Sequence, residues 1–151
     1  VKSNHARKIL SKEEQRRADR YMFEEDSRRF IVTRAMLRYL LAHYLHIQPE
    51  NVNFEFNEYG KPFLKVKAPQ HLQFNVSHSN YAAAFIFSQN VVGIDIEYHK
   101  PGFAATDIAR RFFSKQEVLD LETVAPETYA DHFFDCWSRK ESYIKAKGLG
   151  V

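Results

Sequence analysis

The 151-residue sequence has a single cysteine, Cys136. One thiol makes neither an internal disulfide nor a cysteine-based zinc site, so the fold must hold without either staple. That usage fits a reducing compartment, and the expected location is the cytoplasm. No apolar run approaches the ~20 residues that span a bilayer, no signal-peptide pattern opens the chain, and no repeat or low-complexity linker interrupts it. What is present is an ordinary apolar share with plentiful aromatics, 13 Phe and 8 Tyr, enough to bury a core in one domain or two small lobes. The formal net charge is +3. Cations crowd the first third, Arg16, Arg17, Arg20, Arg28, Arg29, Arg34 and Arg38 among them, which suggests a phosphate-bearing or acidic partner. Glu13, Glu14, Glu24, Glu25 and Asp26 are interleaved, so a solvated helix face is an equal reading. Mixed charge and the lack of a recognition motif argue against a nucleic-acid partner, and no membrane partner is expected.

Periodicity predicts a short charged helix over residues 11–21 and a clearer one over residues 27–45, where Phe30, Ile31, Arg34, Leu37, Leu41 and Tyr44 recur at helical spacing. His43 and His46 suit its C-terminal end better than a metal. The stretch NVNFEFNEYGKPFLKV reads as strand, turn, strand. FNVSHS is a strand ending in small polar residues, and YAAAFIFS and VVGIDIE read as two strands of a hairpin joined at SQN. TDIARRFF is a short helix, and SKQEVLDLE another, opened by a capping box of Ser114 and Glu117. A long last helix follows Pro126 and ends at Gly148.

Asp95 and Glu97 stand two apart in VVGIDIE, so on a strand both point to one face. Two like charges on one face repel unless a cation intervenes. Mg²⁺ takes such hard oxygen ligands together with waters and phosphate oxygens; a solvent-facing hairpin edge is the plainer alternative. In the last helix Phe133, Trp137 and Ile144 mark an apolar stripe, and Glu141, four after Trp137, lies on it. Lys145 lies four further along the same face. Alone, that pair would be a surface bridge worth about 0.2–0.5 kcal/mol, but an acid on a tryptophan's stripe is better explained by an internal site. Ser77, His78 and Ser79 put donors at the end of a strand; capping of that end is the alternative reading.

Taken together, YGKP, FNVSHS, VGIDIE, RRFFSKQE and WSRKESYIKAKGLG, in this order and at these spacings, resemble a 4′-phosphopantetheinyl transferase. The closer resemblance is to the larger, pseudo-dimeric type that serves peptide and polyketide synthetases, and it runs from RYMFEEDSRR to the end of the chain. It implies transfer of the phosphopantetheine arm of coenzyme A to a serine of an acyl or peptidyl carrier protein, with Mg²⁺, releasing 3′,5′-ADP. A catalytically silent relative that binds CoA or a carrier is the alternative, and the intact acid triad argues against it. The implied fold is α+β: two similar lobes in a pseudo-twofold relation, each a small antiparallel sheet packed on a long helix. Residues 1–98 would form the N-terminal lobe and residues 99–151 the start of an incomplete C-terminal lobe. Further strands are expected beyond KGLGV and one before the first residue, and a monomer is expected.

By resemblance, Asp95, Glu97 and Glu141 hold the metal, Lys145 contacts the pyrophosphate, and Ser77 and His78 contact phosphate. Gly60, Lys61 and Pro62 lie near the adenine nucleotide, Arg28 and Arg29 meet the 3′-phosphate, and Arg17 is a further basic position. The carrier docks around Lys100, Phe103, Arg110 and Arg111. Glu141, or a metal-bound water that it polarises, takes the serine proton, and Glu141, Lys145 and His78 form the catalytic set. Phe30 departs from the pattern, standing where many members carry a small hydroxyl residue.

Overall fold

Ser11 and Ser114 open their helices in the same way. Each hydroxyl accepts a hydrogen bond from the amide three residues on, and that residue's carboxylate, Glu14 or Glu117, accepts one from the serine amide. These boxes satisfy amides that a first helical turn leaves without partners. The computed structural model describes residues 3–65, 72–99 and 105–149. In chain order these form α1 (Ser3–Lys8), α2 (Lys12–Ala18), α3 (Glu24–Leu45), a single 3₁₀ turn at Pro49–Asn51, β1 (Phe54–Phe56), β2 (Pro62–Leu64), β3 (Gln73–Ser79), β4 (Ala82–Ser88), α4 (Thr106–Phe112), α5 (Lys115–Glu122) and α6 (Tyr129–Lys147). None of the described helices is long and apolar enough to cross a membrane.

α3 is the spine of the first part. One end packs Ile31 and Ala35 against Ala6 of α1, Ala18 of α2, and Ile9 and Leu10 of the turn between them. The other packs Leu37, Leu41 and Ala42 against Val52 and Phe74 beside the strands. Leu41 is fully buried, so its truncation to alanine costs about 2–5 kcal/mol. Between the two clusters sits a buried cation: Arg38 bonds Glu14 and the carbonyls of Pro49 and Val52. Paired on every side, it ties α2 and α3 to the 3₁₀ turn, and loss of either partner would leave a buried charge uncompensated. A third cluster, Ala105, Ala109, Phe113, Leu121, Phe133 and Phe134, binds α4 and α5 to α6.

The architecture is α+β with two small antiparallel sheets, β1–β2 and β3–β4. Both fall before residue 98, and the described residues after it are helical or irregular. β3 and β4 run from Gln73 opposite Ser88 to Ser79 opposite Ala82, closed by a turn in which Asn80 has φ 51°. Asparagine tolerates that left-handed conformation, which makes the tight reversal possible.

This corrects the expected hairpin between residues 81–88 and 91–97. β4 pairs with β3, because the chain already reverses at Asn80, and residues 91–99 run without a backbone ladder to any described strand. α1 was not anticipated, and α3 begins at Glu24. The predicted end of α6 is observed: Gly148 follows it at φ 73°, a conformation that costs glycine little.

Candidate functional site

Gly93 lies against the backbone of α6. A Cβ added there would collide with the backbone oxygen of Ser142 and the backbone nitrogen of Ala146. Only a residue without a side chain permits this approach, and the approach brings the 91–99 segment, with Asp95 and Glu97, against the helix face that carries Glu141 and Lys145. From the β1–β2 turn, Lys61 Nζ donates to the carbonyls of Lys145 (2.5 Å) and Ala146 (3.1 Å), and Asn57 Nδ2 donates to Gly148 O (2.7 Å). A cation at a helix C-terminus is favourable, since the last carbonyls have no partners within the helix. Burial holds the Lys61 ammonium below the usual lysine range. The turn that presents Lys61 is built on Asn57, whose Oδ1 accepts from the Tyr59 and Lys61 amides, and on Gly60 at φ 80°. Pro62 opens β2 opposite Phe56.

Within this frame Lys145 Nζ stands 2.5 Å from Asp95 Oδ1 and 3.1 Å from Ser77 Oγ, and Ser77 Oγ itself donates to Asp95 Oδ1 at 3.0 Å. The Asp95 side chain is 1% exposed. Its second oxygen, Oδ2, is buried with no hydrogen-bond partner among the described residues. Glu141 is buried on α6, and its carboxyl is pushed above the usual carboxylate range. Burial is the largest cause; Lys145 opposes it, and the negative charges of Asp95 and Glu97 add to it. Asp95 and Lys145 thus meet here, with Glu97 and Glu141 near enough for the carboxylate charges to repel; the i,i+2 and i,i+4 spacings put each pair on one face of its own element.

The remaining predicted residues fall into other places. Ser77 and His78 alternate along β3 and face opposite ways. His78 lines a hollow with Arg28, Arg29 and Tyr81. Arg29 pairs with Glu25 at 2.6 Å and Asp26 at 3.4 Å and lies over the Tyr81 ring, whereas Arg28 is exposed. Arg17 and Gly60 line a different hollow, walled by Phe30, Phe54 and Tyr59 and holding Arg34, whose guanidinium is depressed mainly by burial. An apolar hollow adjoins Glu97, between Ile108, Phe133, Phe134 and Trp137. Arg110 and Arg111 are exposed on α4, and Lys100 and Phe103 lie outside the described residues. Sequence reasoning named Ser79 only as a strand-end donor and missed Gly93 and Asn75. The signal for Asn75 was its alternation with Ser77 and Ser79 in FNVSHS, which puts three polar side chains on one face.

Comparison with known proteins agrees with the resemblance. Residues 2–88 match the family model described as 4′-phosphopantetheinyl transferase, N-terminal, and residues 91–151 match that of the 4′-phosphopantetheinyl transferase superfamily. A 4′-phosphopantetheinyl transferase of Bacillus subtilis is 36% identical over 142 residues, covering 94% of this chain and 62% of the relative. HetI of Nostoc sp., also named a 4′-phosphopantetheinyl transferase, is 39% identical over 144 residues, with 94% and 61% covered. Sfp of Bacillus subtilis strain 168, of the same name, is 34% identical over 143 residues, with 95% and 62% covered. The chain therefore spans about three-fifths of the length of these curated relatives.

Proposed function

The chain belongs to the 4′-phosphopantetheinyl transferase superfamily, and on that premise we propose that the protein transfers the 4′-phosphopantetheine arm of CoA to a serine of an acyl or peptidyl carrier protein, with Mg²⁺, releasing 3′,5′-ADP. The observation that carries the reading is the meeting of Asp95, Glu141 and Lys145 across the close approach at Gly93. The reaction forms a bond from the serine oxygen to the β-phosphorus of CoA and breaks the bond from that phosphorus to the bridging oxygen. 3′,5′-ADP leaves with the electron pair, and the serine proton goes to a base.

Asp95, Glu97 and Glu141 would hold the Mg²⁺. Their donors are hard oxygens, and Asp95 Oδ2 is buried without a partner among the described residues. Among the described residues no three His, Cys, Asp or Glu side chains already form a metal site; Mg²⁺ here would rely on water and phosphate oxygens to complete its shell. When bound, the metal supplies neutralisation of the charge that develops on the phosphates.

The chain's own groups do the rest. The Lys145 side chain is 29% exposed, so its ammonium can turn from Asp95 to a phosphate oxygen and stabilise the leaving group as a charge-assisted donor. Glu141, or a metal-bound water that it polarises, would accept the serine proton, and the raised proton affinity of Glu141 supports that role. Arg28 and His78, sharing one hollow, would hold the 3′-phosphate with Arg29. Lys61 would act on the site by anchoring the end of α6. Arg17 and Gly60, in the neighbouring aromatic hollow, offer walls for the nucleotide. The exposure of Arg110 and Arg111 supports a docking face for an acidic carrier surface. Division into lobes at residues 98 and 99 in a pseudo-twofold relation, a monomeric state and a cytoplasmic location belong to the same proposal. Incubation with CoA, Mg²⁺ and an apo-carrier protein, followed by chromatography for 3′,5′-ADP, tests it. Product should depend on all three additions and vanish with Asp95→Asn; equal release without carrier would show CoA hydrolysis instead.

A further inference from the structure

β3 directs alternate side chains at a neighbour with which it forms no backbone ladder. Asn75 Oδ1 accepts from the Ile94 amide at 2.9 Å, Ser77 Oγ from the Ile96 amide at 3.3 Å, and Ser79 Oγ from the Tyr98 amide at 3.0 Å. Three side chains spaced by two meet three amides spaced by two, so the register is fixed. A slip of one residue would swing Asp95 and Glu97 to the other face.

A hydroxyl has one proton and two lone pairs, so a serine that accepts from an amide can still donate. Ser77 donates to Asp95 Oδ1 at 3.0 Å, and Ser79 repeats the pattern two residues on, donating to Glu97 Oε2 at 3.4 Å. In both cases the carboxylate belongs to the residue just before the amide that the serine holds. The Ser79 contact is the looser of the two, and both it and Glu97 border the apolar hollow.

We infer that Ser79 is a positioning residue for Glu97, as Ser77 is for Asp95, and that the two hydroxyls set the separation and orientation at which the carboxylate pair meets a divalent cation. The inference rests on the metal reading proposed above. Partners behind a metal ligand commonly change affinity about 10–100-fold when removed. A purely structural role for Ser79 would weaken the fold without acting through Glu97.

The experiment is Mn²⁺ binding followed by electron paramagnetic resonance, on the native protein, Ser79→Ala and Ser79→Thr, with Ser79→Ala repeated in a Glu97→Gln background. Ser79→Ala should weaken Mn²⁺ about tenfold. Ser79→Thr, which keeps the hydroxyl, should stay near native. In the Glu97→Gln background Ser79→Ala should add less than about twofold, because its effect runs through that carboxylate. Should Ser79→Ala not fold, Ser79→Cys, of similar size but a poor hydrogen-bonding group, takes its place with the same expectation. Unchanged Mn²⁺ affinity, or an equal loss in both backgrounds, overturns the inference and leaves the metal reading standing. A native protein that binds no Mn²⁺ overturns the metal reading and this inference with it.

Discussion

The ammonium of Lys145 stands 2.5 Å from Asp95 Oδ1, joining the last described helix to a segment fifty residues earlier in the chain. In the metal-free protein this contact compensates a carboxylate that is 1% exposed. Lys145→Met should therefore destabilise the metal-free protein. Breaking a fully buried pair costs about 3–5 kcal/mol; Lys145 is partly exposed, so about 1–3 kcal/mol is expected. Urea denaturation with and without Mn²⁺ checks it. The deficit should shrink when the divalent ion is present, and an unchanged metal-free stability would refute the compensation.

Gly93→Ala tests the frame rather than the charges. The added methyl would meet backbone atoms of α6, which cannot swing aside like the tip of a side chain. Overpacking of this kind costs about 1–3 kcal/mol or more. The acids on 91–99 should also separate from Glu141, so Mn²⁺ affinity should fall along with stability. A variant with native affinity and native stability would show that the segment and helix are not held as described.

The raised proton affinity of Glu141 has a defined effect on stability. Its folded-state pKa lies above the unfolded value near 4.5, so between these two values the folded state binds more protons than the unfolded one. Metal-free stability should then decline as pH rises from about 4.5 through the folded pKa. Glu141→Gln should flatten this decline and be more stable than the native protein at neutral pH, with the difference vanishing below about pH 4.5. Thermal melts across pH, with a chelator present, read this. A native protein that gains stability relative to Glu141→Gln over the same window would contradict it.

Arg28 and His78 share a hollow, and Arg28 is the exposed member of its basic pair. If they read the 3′-phosphate, Arg28→Ala should weaken CoA and leave dephospho-CoA nearly untouched. A charge-assisted hydrogen bond sets an upper bound of about 1.5–3 kcal/mol on the loss. Calorimetry with both ligands on both proteins decides. Equal weakening of the two ligands would move the 3′-phosphate to the hollow of Arg17.

Much of this was legible because it is local. The box at Ser114, the stop at Gly148 and the turn at Asn57–Lys61 are set by residues within a few positions of one another. The acid pair and Glu141 with Lys145 were legible from spacing alone, since i,i+2 on an extended chain and i,i+4 on a helix each define a face. The partner of an extended segment is not local. Alternation told that 91–97 is extended, but not that β3 would meet it with side chains while pairing its backbone with β4. Gly93 signalled a close approach without naming α6, and the occupation of Lys61 by the carbonyls of α6 depends on a contact 84 residues away in the chain. The six-residue α1 is held by Ala6 in a cluster with α3 and has too few residues to show a period.

The most direct test of the central claim is the intact mass of an apo-carrier protein after incubation with the protein, CoA and Mg²⁺. The account predicts a gain equal to one phosphopantetheine on the carrier, abolished by Asp95→Ala or Glu141→Ala in variants that remain folded. An unchanged carrier mass with the native protein, on a carrier that another transferase modifies under the same conditions, would contradict it.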